Sequence, residues 1–113
     1  DVQAELHLSS LRPQDLKSWA PLAVVPQACD GLFQHLVGAG GPSAPLQDLA
    51  DLTPLAGRVA QHSAWYGLHA SLRAALKEHL TVEQSTELHL RAAAWFLEHD
   101  YLHEATRHLR LSG

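Results

Sequence analysis

The chain has 113 residues, 46% of them hydrophobic, and a formal net charge of −4. That is enough apolar material for one packed domain, and it lacks the basic excess of a typical nucleic-acid binder. A single cysteine, Cys29, excludes an internal disulfide, and no apolar run approaches the roughly 20 residues of a membrane span. No signal peptide is visible, and a lone thiol among apolar neighbours fits a reducing, cytoplasmic setting. With no Met at all, the chain reads most simply as a piece of a longer protein.

Residues 2–8 alternate apolar and polar, the period of a half-buried strand, although Val2 and Leu6 also fit one helical turn. Pro13 opens a helix well, because its missing N–H would be unpaired there anyway. Leu16, Trp19, Ala20 and Ala23 share one face of it, Pro21 should kink or shorten it, and Pro26 ends the segment. Residues 27–37 read as a second helix with Cys29, Leu32, Phe33 and Leu36 on one side. Gly38 to Ser43 is a loop by composition. Ser43 is placed to cap a helix over 44–53, with Leu46, Leu49 and Ala50 inward, and Thr53-Pro54 should stop it.

The pattern then changes. Between Leu55 and Leu68 lie Val59, Trp65 and Tyr66, with Gln61-His62-Ser63 in the middle, which predicts a β-hairpin with strands near 56–60 and 64–68. A helix from Ala70 to Leu80 follows directly, with Leu72, Ala75, Leu76 and His79 on one face. His69 therefore stands where an extended segment becomes a helix. Unpaired N–H groups and the positive end of the helix dipole suit an anion there. Spacing alone favours a plainer role for His69, a helix cap or a packed side chain.

Thr81-Val82-Glu83-Gln84 is a capping box for a helix running to about Glu98. Its apolar arc, Leu88, Ala92, Ala93, Trp95, Phe96 and Leu97, is wide enough to pack on two sides. Asp100 is placed to cap a last helix, Tyr101 to Leu111, with Leu102, Ala105 and Leu109 turned back. Such a hairpin cannot bury its own outer face, so Leu90, Ala94 and neighbours should form an exposed apolar strip. Self-association through that face is expected.

Much chemistry is missing. No Gly-rich phosphate loop with Lys-Ser/Thr exists, and no Cys-x-x-Cys pair. Nine histidines are scattered along the chain. His103 and His108 would lie about 140° apart around a helix, and His99 precedes Asp100, so exposed histidines are expected rather than a metal site. No nucleophile elbow or paired-carboxylate site appears. The chain is read as a non-enzyme with no cofactor of its own.

Several stretches in order and at matching spacing carry a resemblance. They are Leu49-Ala50-Asp51-Leu52-Thr53-Pro54-Leu55, Trp65-Tyr66-Gly67-Leu68-His69-Ala70-Ser71-Leu72-Arg73, Leu88-His89-Leu90-Arg91-Ala92-Ala93-Ala94-Trp95-Phe96-Leu97-Glu98-His99-Asp100 and Glu104-Ala105-Thr106-Arg107-His108-Leu109. Together they resemble one region of the large ATP-dependent LuxR-type (MalT-type) bacterial transcription regulators. The resemblance implies a mainly α fold: a winged-helix domain with a short β-hairpin wing over residues 1–80, then the first tetratricopeptide-like helical hairpin over 81–113. In that family these units lie between a signal-transduction ATPase module and a sensor superhelix. DNA is read by a C-terminal helix-turn-helix. Neither flank falls within these residues. In related ATPases a Met-His-Asp motif at the same joint sets a His against the β-phosphate of ADP. Leu68-His69-Ala70 matches it in the His and departs from it in the acidic third residue. Gly67 and Pro21 also depart from the family pattern.

The resemblance thus implies a regulatory relay whose partners are the ATPase and sensor domains of the parent, with ATP/ADP bound by the parent and contacted by His69. Two other readings stand beside it. A winged helix could bind DNA itself, but residues 44–55 offer Gln47, Asp48 and Asp51 and no Lys or Arg. A passive scaffold would differ from the relay only in an inert His69.

Overall fold

The computed structural model describes residues 11–38 and 44–112. Helix α1 (Pro13–Trp19) starts on Pro13, with Asp15 Oδ2 accepting the Arg12 N–H at 3.1 Å. Pro21 has no N–H to continue the α ladder, and the chain tightens there into a 3-10 helix, Ala20–Val24. Pro26 disfavours helical backbone in Val25, which is extended at φ −125° and ψ 135°. The chain then stays extended as β1 (Gln27–Ala28) before α2 (Asp30–Val37) begins. The helix expected from residue 27 therefore starts three residues later, because Gln27 and Ala28 pair antiparallel with Gly67 and Tyr66. On α2, Leu32, Phe33 and Leu36 are buried, and the Phe33 ring stacks on Trp19 at 5.2 Å.

Helix α3 (Leu46–Leu52) is shorter than the expected 44–53, and Pro45 occupies its N-cap position. Ser43 and the residue 2–8 stretch lie outside the described residues. The first turn of α3 is capped from elsewhere: Asp30 Oδ1, on α2, accepts the Leu46 N–H at 2.8 Å. Thr53 turns the chain extended, as Thr53-Pro54 suggested, and its buried Oγ1 accepts the Leu55 N–H at 3.2 Å.

The hairpin is present, with β2 (Ala56–Arg58) paired to β3 (Tyr66–Leu68) in the register Ala56↔Leu68, Gly57↔Gly67, Arg58↔Tyr66. Its strands are shorter than 56–60 and 64–68. The Ser63 hydroxyl accepts the Trp65 N–H at 3.0 Å, and the Ser63 N–H closes a turn onto Ala60 at 3.1 Å, which holds those residues in the connection. The sheet order is β1-β3-β2, all antiparallel. Helix, strand, two helices and two strands, with β1 beside β3, make the winged-helix arrangement expected from the sequence.

Helix α4 (Ala70–Lys77) buries Leu72 and Leu76. It ends before Leu80, with the N–H groups of His79 and Leu80 bonded three residues back instead of four, and His79 is exposed. Helix α5 (Val82–Glu98) opens on the Thr81/Gln84 capping box, with bonds of 2.9 and 3.0 Å. It buries Leu88, Ala92, Ala93, Trp95 and Phe96, while Leu97 faces out. Asp100 does not cap α6 (Leu102–Leu111). It sits at φ 66° and closes α5, with its N–H on Leu97 and the Tyr101 N–H on Phe96 at 2.8 Å. That is the usual job of a glycine after a helix, in a left-handed conformation that Asp tolerates better than most residues.

The buried face of α6 also differs from expectation. Ala105 and His108 point inward, while Leu102 and Leu109 are 61% and 54% exposed. A histidine can replace a leucine in the interface because it finds a polar partner there. The core is one contiguous cluster that includes Leu22, Leu32, Leu36 and Leu72 from the first unit and Leu88, Ala92, Trp95 and Phe96 from the hairpin. No gap in packing separates residues 11–80 from 81–112.

Candidate functional site

His69 follows β3 and precedes α4 directly. Its backbone is fixed at both ends: its N–H donates to the Leu55 carbonyl at 2.8 Å, and its carbonyl accepts the Arg73 N–H at 3.0 Å. The ring is the N-cap of α4, with Nδ1 accepting the Ser71 N–H at 3.0 Å. An Nδ1 that accepts carries no proton, so the neutral ring bears its hydrogen on Nε2. The side chain is exposed, leaving that Nε2–H as an outward donor at the positive end of a helix. Arg73, one turn on, donates from Nε to the Leu68 carbonyl at 3.4 Å and adds a cation beside the joint. The capping role preferred from spacing is what the geometry shows. The N–H of Ser71 is thereby taken, and the imidazole edge and the neighbouring charge remain to meet an anion.

A second cluster escaped sequence reasoning. His89 on α5 and His108 on α6 meet Nδ1 to Nδ1 at 2.8 Å, with ring centroids 5.1 Å apart. One ring donates and the other accepts, so the pair shares a single proton along that line. His108 is 2% exposed and stacks on Phe96 at 5.5 Å and 9°. Burial, followed by the charges of His89 and Arg107, pushes its pKa down from 6.5 to about 4, with Glu104 pulling weakly the other way. His89 is lowered too, by burial first and then by Lys77 and Arg107. The expectation of exposed histidines therefore fails for His108. The partners are 19 residues apart on antiparallel helices, a separation no helical period marks.

The other histidines are simpler. His99 stacks on Trp95 at 3.9 Å, with Nδ1 2.8 Å from the Trp95 carbonyl, and His103 is exposed. Among the described residues, no three His, Cys, Asp or Glu side chains come together as a metal site.

Arg91 ties the two units by a polar contact. It donates from Nη1 to the Leu36 carbonyl at 2.9 Å, at the end of α2, and from Nε to Glu87 at 3.2 Å. Gly38 beside it has φ +89°, and a Cβ built there would lie 2.9 Å from Arg91 Nη1.

No family model matches the chain, and neither does any solved structure. Over 109 residues it is 30% identical to the serine/threonine-protein kinase PknK of Mycobacterium tuberculosis and of Mycobacterium bovis. The match takes in 94% of this chain and 10% of the kinase, so the chain spans about a tenth of the length of these relatives.

Proposed function

We propose that this chain is a regulatory relay segment of a large ATP-dependent regulator of the MalT type, coupling nucleotide state at His69 to inducer sensing through the α5–α6 hairpin. The observation that carries the reading is the His69 joint: an exposed imidazole whose Nδ1 is committed to Ser71 and whose Nε2–H faces out at the start of α4. That arrangement suits one hydrogen bond to a phosphate oxygen of ADP or ATP held by another domain. The chain supplies no phosphate loop, so the rest of such a site belongs to the parent. The contiguous core from Leu72 to Trp95 gives the joint a packed route to the hairpin.

The similarity to a stretch of a large kinase agrees with a segment that accompanies a catalytic domain. The present sequence has no Gly-rich kinase loop, His-Arg-Asp or Asp-Phe-Gly motif. Direct DNA binding is disfavoured by α3, whose polar residues are Gln47, Asp48 and Asp51. A passive scaffold is the second reading, favoured by the Ser71 cap itself.

Two substitutions in the full-length parent separate relay from scaffold. His69→Ala removes both the cap and the outward donor; His69→Asp keeps an N-cap and replaces the donor with a negative charge. The relay reading expects both variants to release ADP roughly ten- to a hundred-fold faster and to raise output without inducer, since a hydrogen bond to a charged group is worth about 1.5–3 kcal/mol. The scaffold reading expects His69→Ala to lose only stability and His69→Asp to behave as wild type. Unchanged ADP off-rates in both would remove His69 from the mechanism.

A further inference from the structure

The wing, the first strand and the helical hairpin meet around an open cleft of about 430 Å³. Its walls are aromatic. Trp65, from the hairpin connection, meets Tyr101 edge-on at 5.8 Å, and Phe96 meets Tyr101 in the same way at 5.8 Å. Tyr101 is 39% exposed and Trp65 half-buried, so flat apolar rings line a surface that the core does not close. Two opposite charges stand in the same cleft, Glu104 and Arg107, one helical turn apart on α6. Neither forms an ion pair among the described residues. His108 forms part of the floor, its ring held by His89 and Phe96.

The volume lies in the range of small-molecule sites, and the lining has their usual make-up of apolar walls with a few convergent polar groups at a junction of units. A ligand must satisfy both charges and the rings. A lone carboxylate would answer Arg107 and be repelled by Glu104; a lone amine would do the reverse. A zwitterion whose two charges are close together and carry a ring answers all three. We propose that this cleft binds a free aromatic α-amino acid, with the carboxylate on Arg107, the ammonium on Glu104 and the ring against Trp65 and Tyr101. The site touches both units, so its occupancy would be felt at the seam between them, and it does not depend on any role of His69.

The test is an NMR titration of the isotope-labelled chain with L-phenylalanine, phenylacetate and phenethylamine, each to millimolar concentration. L-phenylalanine should shift the Trp65 and Tyr101 resonances saturably and bind tightest of the three. Arg107→Gln should weaken phenylalanine and phenylacetate about tenfold and, by removing a like charge, tighten phenethylamine, and Glu104→Gln should weaken phenylalanine and phenethylamine in the same measure and tighten phenylacetate. Both substitutions keep a polar side chain on the solvent side of α6, and matched melting curves show that the fold is intact. No saturable shift, phenylacetate binding as tightly as phenylalanine, or binding that survives both substitutions would each overturn the assignment.

Discussion

The buried histidine pair makes the stability of the hairpin depend on acid, and the size follows from the structure. His108 takes up a proton at about 6.5 in an unfolded chain but at about 4 in the folded one. Between those values the unfolded state binds more protons, so stability falls as pH falls through that window. The whole interval corresponds to about 3 kcal/mol, of which some 2–3 kcal/mol should be lost between pH 7.5 and 4.5. His89 is depressed in the same direction and adds to the loss. The charges around the pair are Lys77, Glu104 and Arg107; the two cations deepen the depression, and Glu104 opposes it for His108. The assay is urea unfolding at several pH values for wild type and His108→Gln, a variant that does not titrate and can still hydrogen-bond His89. Carboxylates act equally on both proteins, so the difference between the curves isolates the imidazole. Wild type should lose about 2–3 kcal/mol more than the variant on acidification. Parallel curves from pH 7.5 to 4.5 would refute the coupling.

Three further outcomes are expected. Gly38→Ala should cost about 1–3 kcal/mol, because the residue needs a left-handed φ of 89° and its Cβ would press on Arg91; adding Arg91→Ala should recover the crowding part and not the backbone part, measured by thermal melts. Asp30→Ala should cost about 0.5–2 kcal/mol and selectively weaken hydrogen-exchange protection in the first turn of α3, since the carboxylate caps that helix from α2. The exposed strip Leu90, Ala94 and Leu97 on α5 should give concentration-dependent association in sedimentation, reduced by Leu90→Glu with Leu97→Glu; a strict monomer at high concentration would contradict it.

Local signals in the chain were legible where backbone chemistry dictates a conformation. Pro13, Pro21 and Thr53-Pro54 mark helix starts and stops by removing an N–H or excluding a φ/ψ region, and all three act where expected. The Thr81/Gln84 box needs only four consecutive residues and is present with both bonds. Contacts distant in sequence were not legible. Strand β1 is two residues long and exists because β3 offers it an edge. A cap of α3 comes from Asp30, sixteen residues earlier, a contact that no local pattern marks. Asp100 resembled a cap for the helix after it, whereas its left-handed φ terminates the helix before it. The candidate site divides in the same way. His69 could be placed at the joint from the order strand-Gly-Leu-His-helix alone, whereas the His89–His108 pair depends on the pitch and pairing of two helices.

The shape of the core limits how any relay through this chain can work. Units joined by a small polar interface swing readily, while a large apolar interface resists separation. Here Trp95 and Ala92 of α5 share one buried cluster with Leu22, Leu32 and Leu36, and Arg91 adds a hydrogen bond to the end of α2. Opening that seam would expose several fully buried side chains, each worth about 1.5–3 kcal/mol, far more than one phosphate contact at His69 could supply. A signal arriving at the joint therefore carries the α5–α6 hairpin along with the wing instead of parting them. If the chain acts as the relay proposed above, the element with two states is the docking of this whole body against a neighbouring domain, biased from one side by His69 and from the other by whatever the exposed Leu90–Leu97 strip contacts. On that view Arg91→Ala, which removes one hydrogen bond and leaves the apolar cluster in place, keeps the two sides moving together, while His69→Asp shifts the resting balance.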